Sequence, residues 1–342
     1  MYGMFRARRL MLLASAVTAA PLALAAPEKM QAIVQGAGTG AQALQLQTVD
    51  TPKPGKNQVL MKVYAAAVNP VDWKRQPAAA TLPSGSVLPP IPGYDAAGLV
   101  DSVGPGVTGI KPGNAIVARV TAAYAQYVVA DVETVAAKPR RFTFEQAAGM
   151  PIAGVAGYGA AMAANIQRGQ RVAIIGAAGG AGSAAVDVAR AKGATVIASG
   201  HSSQQAWLKE QGVAEFVAYD KENVAQRIQG VDAVLNMVDG QADTALGYVK
   251  RGGHLSSIAG GASPEKCAAA GVTCVQIRAT APGISMGDSL RSLSTMADAG
   301  QYAVRVTRVF PLAQAAAAQE FARRGDAMGK IVLSVDPKSA TR

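Results

Sequence analysis

An apolar, β-branched run, Arg171-Val172-Ala173-Ile174-Ile175, stops abruptly at Gly176-Ala177-Ala178-Gly179-Gly180-Ala181-Gly182, and a helical spacing of alanines and valines follows as far as Lys192. Strand, glycine turn and helix in immediate succession have few structural solutions, so this stretch constrains the chain more tightly than any other. Glycine at 176 lets the backbone reverse, glycine at 179 leaves bare backbone open to a ligand, and glycine at 182 lets helix close on strand. The amide groups that open such a helix suit a pyrophosphate. Gly193 ends the helix, and Thr195-Val196-Ile197-Ala198 predicts a second strand that completes a βαβ unit.

A fold of this kind that binds NAD usually carries an Asp or Glu about 20 residues after its fingerprint, to hold the ribose 2′-hydroxyl. Here the corresponding loop is Ser199-Gly200-His201-Ser202-Ser203, without an acid. We read it as room for a 2′-phosphate, hence NADPH in preference to NADH, with the hydroxyls and His201 as donors. An ordinary polar loop is the competing reading. Further on, strand and helix keep alternating: helix over 207–211, strand 216–218, helix 224–228, strand 233–237, helix 245–249, strand 254–258. That alternation predicts a doubly wound parallel sheet with its ligand at the carboxyl ends of the strands. It nominates Ser199, Tyr219, the segment 237–240, Ile258, Ala259 and Gly260. Asn236 and Asp239 read as helix caps or turn formers.

Residues 30–135 carry a different pattern. Candidate strands at 31–34, 44–49, 59–67, 97–103, 115–120 and 125–129 are broken by Pro52-Lys53-Pro54-Gly55, Pro89-Pro90-Ile91-Pro92-Gly93, Gly104-Pro105-Gly106 and Lys111-Pro112-Gly113. Many short strands with such turns predict a compact β-rich domain. Residues 144–164 read as helical, as do 290–300 and 312–323; residues 304–310 read as extended, and Ile331-Val332-Leu333-Ser334-Val335 as a last strand returning to the β-rich domain. Half of the 342 residues are hydrophobic and 16% are charged, which suits a two-domain α/β enzyme and excludes a disordered chain. The net charge of +11 is scattered, with no cluster of basic and aromatic residues, so nucleic acid is not an expected partner.

The first 26 residues read as a secretory leader. Arg6, Arg8 and Arg9 precede an apolar run over 10–20, and Ala23-Leu24-Ala25 supplies a small-x-small cleavage site. The run Arg8-Arg9-Leu10-Met11-Leu12 resembles a twin-arginine signal, the route that carries folded cargo. The expected location is periplasmic or otherwise exported; if Met30 is the true start, it is cytoplasmic. No other stretch has the length of a membrane span. Cys267 and Cys274 form no zinc motif. Either they close a short disulfide in an oxidising compartment, or they are buried thiols.

Several segments in collinear order resemble the zinc-independent quinone oxidoreductase branch of the medium-chain dehydrogenase/reductase superfamily, the branch that includes zeta-crystallin. They are Ala67-Val68-Asn69-Pro70-Val71-Asp72-Trp73-Lys74, Ile91-Pro92-Gly93-Tyr94-Asp95-Ala96-Ala97-Gly98, Val103-Gly104-Pro105-Gly106-Val107 and Ala123-Tyr124-Ala125-Gln126-Tyr127-Val128, then the glycine turn, Gly252-Gly253-His254-Leu255-Ser256-Ser257-Ile258-Ala259-Gly260 and Gly329-Lys330-Ile331-Val332-Leu333. The resemblance implies a GroES-like β-rich domain over 27–153 and 305–342, interrupted by a Rossmann domain over 154–304. The active site would lie between the two, and a homodimer would form through the nucleotide domain.

Zinc-dependent members of the superfamily carry Cys where this chain has Asn69 and His where it has Tyr94, so the resemblance implies no zinc. It places Asn69 near the nicotinamide, for cofactor or substrate positioning, with a turn-holding role as the alternative. It makes Tyr94 a candidate proton donor, with a packing role as the alternative, and sets Tyr219 near the adenosine phosphate. Lys74 reads as an exposed lysine. The cofactor-binding set is Asn69, Gly176, Gly179, Gly180, Ala181, Gly182, Ser199, His201, Tyr219, Ile258 and Ala259. The chain departs from the pattern at Ala156, where threonine is usual, and in a short loop between Val120 and Tyr124. The activity implied is hydride transfer from NADPH to a quinone or α,β-unsaturated carbonyl. An exported nucleotide-binding or structural protein with little or no turnover is the alternative.

Overall fold

The computed structural model describes residues 26–37, 40–75, 80–81, 87–325 and 327–336; the leader expected over 1–26 lies outside them apart from Ala26. The Gly/Pro turns separate β1 (Lys29–Gln35), β2 (Leu44–Asp50), β3 (Gln58–Val68), β4 (Ala80–Thr81), β5 (Val87–Leu88), β6 (Asp95–Val103), β7 (Ala115–Arg119), β8 (Tyr127–Asp131) and β9 (Val135–Ala137). One short helix, α1 (Val71–Lys74), follows β3. Strand β3 is the axis of this half: nearly all of its 11 residues are buried, and it pairs antiparallel with both β6 and β8.

Next come α2 (Phe144–Ala148) and α3 (Val155–Ala163), then the alternating half. This comprises β10 (Arg171–Ile175), α4 (Gly180–Ala191), β11 (Thr195–Gly200), α5 (Gln205–Glu210), β12 (Glu215–Ala218), α6 (Val224–Arg227) and β13 (Val231–Asn236). It continues through α7 (Ala242–Leu246), β14 (Val249–Ser257), α8 (Pro264–Ala270), β15 (Thr273–Gln276) and α9 (Met286–Asp298). The sheet order is β12-β11-β10-β13-β14-β15, all parallel, so the order reverses between β10 and β13. Ligands of such sheets bind at that switch point. Alternate residues of β10 serve opposite faces: Val172 and Ile174 join the core beneath α3 and α4, while Ala173 joins Ile197, Val234 and Leu255 on the other side.

The chain then returns. Strand β16 (Val306–Pro311), helix α10 (Ala315–Arg323) and strand β17 (Lys330–Ser334) close it, with β17 antiparallel to β3 so that Val332 faces Ala67 and Leu333 faces Ala66. The first sheet runs β16-β17-β3-β6-β7-β9. No described helix is long and apolar enough to cross a membrane.

The differences from the sequence reading are local. The helix expected over 144–164 breaks into α2, a π-turn at Met150–Gly154 and α3, because Pro151 has no N–H to continue the ladder. The helix expected over 245–249 lies earlier, as α7, and Val249 already opens β14. Strand β8 starts at Tyr127 rather than Ala125. Strand β9, helix α8 and edge strand β15 carry too weak a pattern to have been foreseen.

Cys267 in α8 and Cys274 in β15 form a disulfide across a sequence separation of 7, which resolves the two alternatives left open by the sequence. A loop this short removes little unfolded-state entropy, so reduction is expected to cost about 2–3 kcal/mol. Chemical denaturation with and without dithiothreitol, with Cys267→Ser as control, measures it. A midpoint unmoved by the reductant would contradict the expectation.

Candidate active site

The glycine turn takes the geometry its residues dictate. Gly176 has φ +77°, and a Cβ at Gly182 would lie 2.2 Å from the Gly176 carbonyl oxygen and 2.7 Å from Ala177 Cα, so only glycine lets α4 begin this close to the turn. Gly179 is the N-cap of α4 and offers no side-chain acceptor, which leaves the amides of the first helical turn free for a ligand. Helix α3 backs the turn at close range, since a Cβ at Gly157 would meet the Ala181 carbonyl oxygen at 2.3 Å.

A cavity of about 720 Å³ opens over this turn. Its far wall is the β-rich half, with Asn69, Trp73 and Lys330, and its ends reach Ser199, Tyr219, Met237 and Ile258 at the strand termini. Of the residues nominated from sequence, Asn69, Gly176, Gly179, Gly180, Ala181, Gly182, Ser199, Tyr219 and Ile258 all line it. His201, Ala259 and Tyr94 do not. Tyr94 is half-buried with its ring 5.9 Å from the Arg119 guanidinium. Ala156, the departure from the family pattern, is also on the wall.

Beneath Asn69 lies a buried polar network that sequence reasoning missed. Lys330 Nζ donates to Asn69 Oδ1 at 2.5 Å and to the Val68 carbonyl at 3.1 Å, and lies 3.9 Å from Asp95 Oδ2. Asn69 Nδ2 donates in turn to Asp95 Oδ2 at 2.8 Å and to the Ala67 carbonyl at 3.3 Å. The π-turn at Pro151 leaves the Ile152 amide free, and it donates to Asp95 Oδ1 at 2.9 Å. Asp72 Oδ2 accepts from the Asn69 amide at 2.8 Å and from the Tyr124 hydroxyl at 2.7 Å, while its Oδ1 is buried with no hydrogen-bond partner among the described residues. Both hydrogens of the Asn69 amide are thus engaged within the protein, so its orientation on the wall is fixed before any ligand arrives. A signal was present in the sequence: Asp72, Asp95 and Lys330 are charges set inside otherwise apolar motifs.

Burial governs the titration of these groups. Desolvation pushes Asp72 up to about 7, against the hydrogen bond from Tyr124, and Asp95 up to about 6, against the nearby Lys330 charge. Desolvation also lowers Lys330. Because the native protein holds these carboxyl protons in a range where the unfolded chain, near pH 3.9, has released them, the stability these two groups contribute is lost as pH rises from about 4 to 7. Urea midpoints across that range should decline in the wild type and decline less in Asp72→Asn. Equal slopes would refute the assignment.

The two residues read as helix caps or turn formers lie at the end of β13 and in the turn that follows it, which bears out the turn-forming alternative. Asp239 caps no described helix; it forms an ion pair with Lys74 at 3.5 Å, linking the loop after β13 to α1. Asn236 is a turn former: its Oδ1 accepts from the Val238 amide at 3.2 Å and its Nδ2 donates to Ser257 Oγ at 3.0 Å.

Comparison with known proteins places the geometry. Residues 55–140 match the alcohol dehydrogenase GroES-like domain and residues 211–333 the zinc-binding dehydrogenase domain. The NADPH-dependent alkenal/one oxidoreductase of Arabidopsis thaliana chloroplasts is 29% identical over 327 residues, covering 90% of this chain and 80% of that protein. The quinone oxidoreductase of Sus scrofa is 33% identical over 213 residues, covering 58% of this chain and 63% of that protein. The chain belongs to the medium-chain dehydrogenase/reductase superfamily, in its quinone oxidoreductase branch. Among solved structures, the quinone oxidoreductase of Coxiella burnetii superposes with a TM-score of 0.78 at 28% identity, covering 90% of this chain and all of that one.

The name of one matched domain raises the question of zinc. The residues here do not suit it: among the described residues no three of His, Cys, Asp and Glu are grouped to hold a metal, and the Asn69 amide is already saturated by Asp95, Ala67 and Lys330. A reduced dinucleotide does suit the cavity, through the uncapped α4 terminus and the open backbone at Gly179.

Proposed function

We propose that the protein is an NADPH-dependent oxidoreductase that reduces a quinone or α,β-unsaturated carbonyl without a metal. The observation that carries this reading is the shared wall of the 720 Å³ cavity: an uncapped helix start with bare glycines on one side, and Asn69 and Trp73 of the β-rich half on the other. A bound nicotinamide coenzyme supplies the hydride. The chain's own part is to bind and orient. Amides at 180–182 take the pyrophosphate, the fixed Asn69 side chain and the apolar residues Ile152, Met237 and Ile258 shape the space for the ring and acceptor, and Trp73 offers a flat apolar surface. Quinones and conjugated enones accept hydride without a Lewis acid, in keeping with a wall on which the polar side chain of Asn69 is already engaged by Asp95, Ala67 and Lys330.

We further propose that it works outside the cytoplasm; the leader-like residues 1–26 and the Cys267–Cys274 disulfide support this. The test is steady-state NADPH oxidation against a panel of quinones and enones, with and without a zinc chelator. Turnover unaffected by chelation supports the reading. Saturable nucleotide binding without turnover on any acceptor would favour a binding protein of the same fold instead, and chelator-sensitive turnover would refute the metal-free reading.

A further inference from the structure

The carboxyl ends of β11 and β12 are where a doubly wound sheet receives the adenosine ribose. In this chain Ser199, Gly200, Gln204 and Tyr219 form that end of the cavity. The loop after β11 has no acid, and the sequence alone nominates its hydroxyls and His201 as donors to a 2′-phosphate. The structure engages three of those donors, Ser202, Ser203 and His201, within the protein. Asp220, directly after Tyr219 at the end of β12, accepts from the Ser202 amide at 2.7 Å and from the Ser202 hydroxyl at 2.7 Å. His201 Nε2 lies 3.6 Å from the same carboxylate, and the other ring nitrogen, Nδ1, is 2.9 Å from Ser203 Oγ. Lys221, the adjacent cation, has its Nζ 3.9 Å from Asp220 as well.

We infer that Asp220 supplies, from the neighbouring strand, the negative charge that the β11 loop lacks, and that it sets how strongly the protein discriminates between NADPH and NADH. This inference rests on the dinucleotide reading above and deepens it. A carboxylate one residue beyond the cavity-lining Tyr219, just behind the wall, opposes a 2′-phosphate at that end and at the same time occupies the Ser202 donors that would hold one. A 2′-hydroxyl meets neither obstacle, since it can itself donate to an acid. The Ser202 hydrogen bonds hold the Asp220 carboxyl below its ordinary range, so it stays charged at neutral pH. The wild type therefore accepts both coenzymes, with NADPH favoured less than the acid-free β11 loop suggests.

Calorimetric titration of the full-length protein with NADPH and with NADH, in wild type, Asp220→Ala and Asp220→Asn, tests this without reference to turnover. Asp220→Ala removes the charge and releases Ser202, and should raise the NADPH-to-NADH affinity ratio about tenfold, chiefly by tightening NADPH. Asp220→Asn removes the charge but keeps an acceptor for Ser202, and should raise the ratio by a smaller factor. Higher salt should raise the wild-type ratio relative to that of the alanine variant, because the opposing charge is screened. If both coenzymes bind and neither variant changes their ratio, the role assigned to Asp220 is wrong while the dinucleotide reading stands. If the folded wild type binds neither coenzyme, both fall together.

Discussion

Lys330→Met is expected to destabilise the folded protein by about 3–5 kcal/mol, the range for removing one partner of a buried ion pair. The side chains of Lys330 and Asp95 are 6% and 0% exposed, so neither charge has water to fall back on when its partner goes. Methionine fills much of the same volume, but it leaves Asn69 Oδ1 and the Val68 carbonyl without their donor and Asp95 without its counter-charge. Asp95→Asn in the same background keeps an acceptor for the Asn69 amide and removes the stranded charge, so the double variant should recover a large part of the loss. The signature is non-additivity in urea denaturation, with a coupling above about 1 kcal/mol. A single variant that unfolds within about 1 kcal/mol of the wild type, or a double variant that is simply the sum of two losses, would show that the network is incidental to the fold. Nucleotide binding gives a second readout. The aliphatic stem of Lys330 packs against Gly180, where a Cβ would meet its Cδ at 2.6 Å, so loosening Lys330 also loosens the helix start proposed to hold the pyrophosphate.

Why that network escaped the sequence reading, while the glycine turn did not, is a matter of range. A strand, a φ-positive glycine and an amphipathic helix are local, and their signals sit within about a dozen consecutive residues. The parallel sheet followed because the alternation repeats. The return of β17 to β3 was legible as one last apolar run, but its register, which sets Lys330 beside Asn69, depends on strands more than 260 residues apart in the chain. The acid beside the β11 loop escaped notice for the same reason. The loop carries no acid of its own, whereas Asp220 reaches Ser202 from 18 residues away, in the turn after the next strand. Tyr94 shows the reverse case, a residue nominated by position in a motif whose ring lies against Arg119 and not on the cavity wall.

Gly179→Ala and Gly182→Ala, two single-methyl changes three residues apart, are expected to separate nucleotide binding from folding. At Gly179 a Cβ would have nothing closer than the Gly176 carbonyl oxygen at 3.8 Å, and its φ of −70° suits alanine, so stability should change little. The added methyl instead occupies the open face over which the proposed dinucleotide lies, and affinity should fall by about a hundredfold, or some 2.8 kcal/mol. At Gly182 the methyl meets backbone, 2.2 Å from the Gly176 carbonyl oxygen, and cannot be absorbed by turning a side chain. The turn and the start of α4 must move apart, at a cost of about 1–3 kcal/mol in stability in addition to the lost binding. Calorimetry and thermal melts on both variants read the two effects independently. Retained affinity in Gly179→Ala would mean that the dinucleotide does not approach this backbone, because nothing else about the turn changes in that variant.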